Sequence, residues 1–246
     1  MKKIIYSVYA GFCYLVFLIT FLYLIGFVEN LLVPKAIDTI AVTKSEPWFI
    51  AVLINFCLIS LFAIQHSVMA RQGFKEKWKK IIPSPVERST YVLFASIVLI
   101  ILYFFWQPLP FIIWGFSETT AGVILFIVSF AGWGIVLLST FLINHFHLFG
   151  LQQVYQFITK KQQQTDTFRM PLFYKIVRHP LYLGFLIAFW TAPVMTAGHL
   201  FFAIGMTIYI LIGIHHEEKD LTNAHGELYK QYVKQTPKIN PFKKNK

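Results

Sequence analysis

Charge is what this sequence has least of. Only 13% of its 246 residues are Asp, Glu, Lys or Arg, against about 25% in a soluble globular domain. So few ionisable groups cannot cover the surface of a water-soluble chain of this size. Cysteine is nearly absent as well. Cys13 and Cys57 are the two present, both inside apolar runs, and no CxxC spacing occurs. That excludes a readable disulfide framework, and a buried free cysteine ordinarily serves as a small hydrophobe. HExxH and CxxCH are missing too. Among the eight histidines only His145/His147 and His215/His216 are close pairs, and the second pair would point to different faces of a helix. No metal site is expected. Internal repeats are lacking, and the short glutamine run at 162–164 is the only low-complexity feature.

What the chain has in excess is hydrophobic, at 57% of residues with 26 Phe. Six stretches carry no Asp, Glu, Lys or Arg: roughly 4–28, 47–65, 89–106, 119–143, 181–197 and 200–214. A membrane-spanning helix needs about 20 such residues, and one charge at the bilayer centre costs about 2.5–3.5 kcal/mol. All six stretches can therefore be embedded. The first is too long for the apolar core of a signal peptide and ends in no small-residue cleavage site, so it reads as a retained helix. The expected fold is an all-α polytopic membrane bundle of about six helices in a single domain spanning 1–246.

The formal net charge of +11 raises the question of nucleic acid. The basic residues answer it, because they lie outside the apolar runs. Twenty of the 22 fall at the N-terminus, in the second and fourth loops and in the tail, and only Lys35 and Lys44 lie in the alternate loops. That split fits an even number of spans with both termini cytosolic, facing anionic lipid head groups. No nucleic-acid partner is expected.

Residues 181–214 hold a breaker region, Thr191 to Gly198, and read as a tight helical hairpin whose arms reach about 25 Å each. A hairpin returns its end to where it began. Arg178, His179 and Pro180 at its start should therefore lie beside His215, His216, Glu217 and Glu218 at its end. Residues 144–158 suit an interfacial segment, 160–169 a flexible surface loop, and 216–234 a polar tail helix that stops before Pro237.

The meeting point of the hairpin ends is the strongest chemical constellation. Pro180 suits the first position of a helix, with His179 near its N-cap, where unsatisfied amides favour an anion. Glu217 and Glu218 can accept from a ribose diol or pair with an ammonium or sulfonium cation. Tyr229 and Tyr232 stand behind them. A purely structural reading is open at this level: Arg178 and His179 snorkelling to head groups, and the Glu pair beginning a solvated helix.

The run RHPLYLG at Arg178–Gly184, followed by EEKDL at Glu217–Leu221 and HGELYKQY at His225–Tyr232, resembles the C-terminal signature of the isoprenylcysteine carboxyl methyltransferase and phospholipid methyltransferase superfamily. The resemblance implies that Arg178, His179, Tyr182, Gly184, Glu217 and Glu218 bind S-adenosyl-L-methionine. A second resemblance covers nearly all of residues 60–240. QHSVMAR at Gln65–Arg71, PVERSTY at Pro85–Tyr91, STFLINHF at Ser139–Phe146, LFGL at Leu148–Leu151 and the segment Gly184–Phe201 are similar to the bacterial methanethiol S-methyltransferases. That implies methylation of a small thiol, methanethiol to dimethyl sulfide, in a bacterial inner membrane, with no obligate protein partner. NnrU-like membrane proteins share the QHS…R and ER patterns, which leaves a non-enzymatic reading open. A prenylcysteine or lipid methyltransferase would share the donor site.

Thiol methylation needs the thiolate, and a thiol with an ordinary pKa near 8.5 is mostly protonated at pH 7. His66, Arg71, Asn144 and His145 are the expected catalytic residues, with His147, His179 and Arg88 as further candidates for base or positive field. Alignment of the two sulfurs in a dry site supplies much of the rate by itself. Each candidate also has a bland reading. His66 and Arg71 end the second span, Arg71 can pair with Glu87, and Asn144, His145 and His147 can anchor an interfacial segment. His199 falls in the hairpin turn and is expected to be structural.

Overall fold

The computed structural model describes residues 1–39, 46–161 and 170–242. In chain order the elements are α1 (Lys2–Glu29), α2 (Trp48–Ala70), α3 (Gln72–Trp78), α4 (Ser84–Phe105), β1 (Ile112–Gly115), α5 (Thr120–Ile143), α6 (His145–Leu148), α7 (Leu151–Thr159), a 3-10 turn at Leu172–Lys175, α8 (Pro180–Trp190), β2 (Val194–Thr196), α9 (Ala197–His225) and α10 (Glu227–Gln235). The protein is an all-α polytopic membrane bundle. Among the described residues, α1, α2, α4, α5 and α9 are long and apolar enough to cross a bilayer. The expected surface loop falls largely on 162–169, outside the described residues, as do Lys44, Lys243, Lys244 and Lys246 of the charge pattern.

The fold falls into two compact units, Met1–Pro110 with Asn144–Thr165, and Phe111–Ile143 with Asp166–Lys246. In the first, α4 packs on α1 and on α2, and α7 on α1. Stacked Tyr23 and Tyr103, with centroids 4.9 Å apart, join α1 to α4. Several polar groups among the apolar helices find partners inside the fold, as a bilayer favours. The fully buried Asn55 donates to the Gln107 carbonyl at 2.7 Å and accepts from the Gln107 amide at 2.9 Å. Trp106 Nε1 donates to the Ile37 carbonyl at 3.1 Å. α4 starts with proline in its first turn and Glu87 near the positive end of its dipole.

In the second unit α5 and α8 pack most closely, because two glycines let their backbones touch. A Cβ on Gly132 would lie 2.7 Å from the Gly184 carbonyl oxygen, and a Cβ on Gly184 equally close to that of Gly132. Ser129 Oγ donates to the Ala188 carbonyl at 3.1 Å beside this contact. Trp133 packs edge-on against Phe185 and Phe189.

The hairpin differs from expectation in its second arm. α8 is short at 11 residues, but α9 runs unbroken for 29 residues, from the turn into the polar tail. No proline interrupts 197–225, so the switch from apolar to charged residues at His215 changes the helix's surroundings without ending it. The break comes at Gly226, whose φ of +54° and ψ of −127° suit glycine alone. The sequence also gave no sign of a small antiparallel pair, β1 with β2, which braces the turn between α8 and α9. Thr196 then caps α9 by accepting from the His199 amide at 3.0 Å.

Candidate functional site

At the start of α8, His179 is the N-cap residue and Pro180 occupies the first turn; no side chain caps the helix. Arg178 and His179 are both buried. The hairpin ends meet as the charge pattern and breaker region require. Arg178 Nη2 lies 2.7 Å from Glu218 Oε1 and Arg178 Nε donates to the same oxygen at 2.8 Å. His179 Nε2 is 3.2 Å from that oxygen, and His179 Nδ1 is 3.8 Å from Glu217 Oε2.

The C-terminal segment completes the cluster. Arg178 Nη1 donates to the carbonyls of Val233 at 3.1 Å and Thr236 at 2.6 Å. The Arg178 and His179 amides donate to the carbonyls of Pro237 and Lys238 at 2.9 and 3.2 Å. Lys238 Nζ lies 3.0 Å from Glu218 Oε2. Tyr229 and Tyr232 of α10 are buried behind these groups, and Tyr232 donates to the Tyr174 carbonyl. Burial pushes the Tyr232 phenol up to about 12. It also raises Tyr174 and Tyr229, with Glu217 and Glu218 adding to the effect. These phenols stay protonated at neutral pH and do not serve as bases.

This arrangement divides the expected donor-binding residues. Arg178 and Glu218 are tied to each other and to the tail. Glu217 is the exposed carboxylate, with 44% of its side chain accessible. Tyr182 is half-buried, its ring 5.7 Å from that of His179. Gly184 is buried, and its contact with Gly132 explains why it is glycine without any ligand.

The expected catalytic residues lie in the first unit and have separate partners. His66 Nε2 is 2.8 Å from Tyr91 Oη. The Arg88 guanidinium sits 4.9 Å above the Tyr91 ring, and its Nε donates to the Leu148 carbonyl at 2.7 Å. His145 is buried, with Nε2 2.8 Å from Tyr14 Oη; burial pushes its pKa down. Asn144 caps α6 by accepting from the His147 amide at 3.1 Å. Arg71 lines a groove of about 390 Å³ with Ser67, Val68, Gly73, Phe74 and Lys77. Among the described residues no ion pair joins Arg71 to Glu87. Buried His199 donates from Nε2 to the Phe189 carbonyl, 3.0 Å away.

Sequence reasoning passed over Tyr14, Tyr91 and Lys238 as partners of these groups. Tyr91 carried a signal, since Arg88 and Tyr91 are three apart on one helical face. Lys238 carried none beyond the basic tail.

Comparison with known proteins agrees with the motif resemblance. The chain is 51% identical over 243 residues to methanethiol S-methyltransferase 1 of Bradyrhizobium diazoefficiens, covering 99% of this chain and 84% of that protein. It is 47% identical over 234 residues to the methanethiol S-methyltransferase of Crocosphaera subtropica, covering 95% and 91%. With the Mycobacterium tuberculosis protein of the same name it shares 46% over 242 residues, 98% of both chains. No family model and no solved structure matches the chain. At this identity over almost the full length, the chain belongs to the methanethiol S-methyltransferase family.

Proposed function

We propose that this membrane methyltransferase moves the methyl group of S-adenosyl-L-methionine to methanethiol, giving dimethyl sulfide. The observation that carries the donor assignment is the cluster in which Arg178, His179 and Lys238 fasten Glu218 while Glu217 stays accessible beside them.

The donor set fits such a cofactor. Glu217 offers a carboxylate to an ammonium or a ribose diol, and the uncapped start of α8 suits a carboxylate. Tyr182 flanks His179 and is the aromatic side chain proposed to pack on a ligand ring. Arg178 and Glu218 hold these groups in position. When bound, the cofactor supplies an electrophilic methyl on a sulfonium sulfur.

The acceptor sulfur must lose its proton as the new C–S bond forms. His66 and His145 are the candidates to receive it, each with a tyrosine hydroxyl at Nε2. Burial lowers the pKa of His145 and so favours its neutral form. Arg71 and Asn144 complete the proposed acceptor residues, Arg71 as positive field and Asn144 through its cap on α6. The setting is a bacterial inner membrane with both termini cytosolic, supported by the placement of the basic residues.

Calorimetry on the purified protein in detergent tests the donor assignment. The parent should bind S-adenosyl-L-methionine, and Glu217→Ala should bind it about tenfold more weakly, the worth of one charge-assisted hydrogen bond. A parent that binds none contradicts the proposal.

A further inference from the structure

Lys238 stands out because Glu218 already has its cation. Oε1 of that carboxylate takes both Arg178 contacts and His179, and Lys238 adds a second full positive charge at Oε2, 3.0 Å away. The Lys238 side chain is 48% exposed, but the backbone that carries it is anchored. Its own carbonyl accepts from the His179 amide at 3.2 Å, the preceding carbonyl accepts from Arg178 N at 2.9 Å, and the Thr236 carbonyl takes Arg178 Nη1 at 2.6 Å. The strap 236–238 is thus laced to Arg178 and His179, the same residues that hold the other oxygen of Glu218.

The charges explain what this achieves. Arg178 and Lys238 bring two positive charges, Glu217 and Glu218 two negative ones, and the cluster is neutral. The donor of the proposed reaction carries a sulfonium, an ammonium and a carboxylate, one net positive charge. Loss of its methyl cation leaves a thioether product with no net charge. A neutral cluster distinguishes the two weakly by charge, whereas the same cluster without Lys238 would be anionic and favour the donor.

We propose that Lys238 is a specificity-determining residue, which sets the ratio of donor to product affinity by cancelling the one negative charge that Arg178 leaves on the Glu217–Glu218 pair. This rests on the donor site proposed above. The ratio separates charge from architecture. A loosened strap weakens both ligands alike, since they share adenosine, carboxylate and ammonium, and only charge acts on one of them.

Calorimetry with S-adenosyl-L-methionine and S-adenosyl-L-homocysteine, on the full-length protein at low and high salt, tests it. Lys238→Met should shift the ratio toward the donor by roughly fivefold at low salt, as expected for one unit charge acting through a largely aqueous dielectric, and by less at high salt. Lys238→Arg should keep the parental ratio. An unchanged ratio in Lys238→Met overturns the inference. If that variant binds neither ligand, the parent decides: a ratio independent of salt supports a neutral cluster, and a donor preference that falls with salt overturns it. A parent that binds neither ligand refutes the donor site itself.

Discussion

Arg178 and Glu218 are 40 residues apart in sequence and 2.7 Å apart in space, with their side chains 5% and 18% exposed. The same guanidinium holds two carbonyls of the C-terminal segment. One side chain therefore ties the start of α8 to α9, to the end of α10 and to Thr236 just after it. Such a fork suits arginine and not lysine, whose ammonium has no planar set of donors.

Arg178→Ala should destabilise the protein by about 3 kcal/mol, the low end for breaking a buried pair, because His179 and Lys238 still contact Glu218. Arg178→Lys should recover little of this. Denaturant unfolding in detergent measures both, and parental stability in Arg178→Ala would refute the fastening role.

Glu217 should behave in the opposite way. Its side chain is 44% exposed, so Glu217→Gln should leave the melting temperature unchanged while weakening donor binding. Thermal melts and calorimetry on the same preparation separate the two effects. A large fall in melting temperature would show that Glu217 is structural.

The contrast between these two glutamates marks where the sequence stops being informative. Charge-free runs located the spanning helices, and the breaker at 191–198 located the turn, because both signals come from side chains. Hairpin closure placed Arg178 and His179 beside the glutamates for the same reason. Which glutamate is fastened depends on the strap, and the strap is held by carbonyls of Val233, Thr236, Pro237 and Lys238. Backbone acceptors leave no trace in residue identity. The β1–β2 pair was hidden likewise, since its strands are only four and three residues long. At His215 a change in polarity looked like a helix end, although nothing there stops a helix.

Gly184 sits in a motif that suggests ligand binding, yet its neighbour is Gly132. Gly184→Ala and Gly132→Ala should each destabilise the α5–α8 contact by about 1–3 kcal/mol, the usual cost of overpacking. Donor affinity of the protein that remains folded should be nearly parental. Unfolding curves with calorimetry at saturating protein check this. A selective loss of affinity with intact stability would restore a ligand role for Gly184.

His145 gives a pH dependence. Its folded pKa lies below the ordinary value of about 6.5, so below that pH the unfolded chain takes up a proton that the folded chain resists. Stability from this group is complete above about pH 6.5 and is lost as pH falls through that value toward the depressed folded pKa. The melting temperature should drop between about pH 7.5 and about pH 5.5, and His145→Gln should reduce the drop. An equal drop in the variant would assign it to other groups.

Methyl transfer to methanethiol would release a volatile product, dimethyl sulfide. The most direct test incubates the purified protein with S-adenosyl-L-methionine carrying a deuterated methyl group and with methanethiol, then analyses the headspace by mass spectrometry. Dimethyl sulfide with one deuterated methyl should form only when protein, donor and thiol are all present. Donor binding without labelled dimethyl sulfide, or label appearing in lipid instead, would contradict methyl transfer to methanethiol.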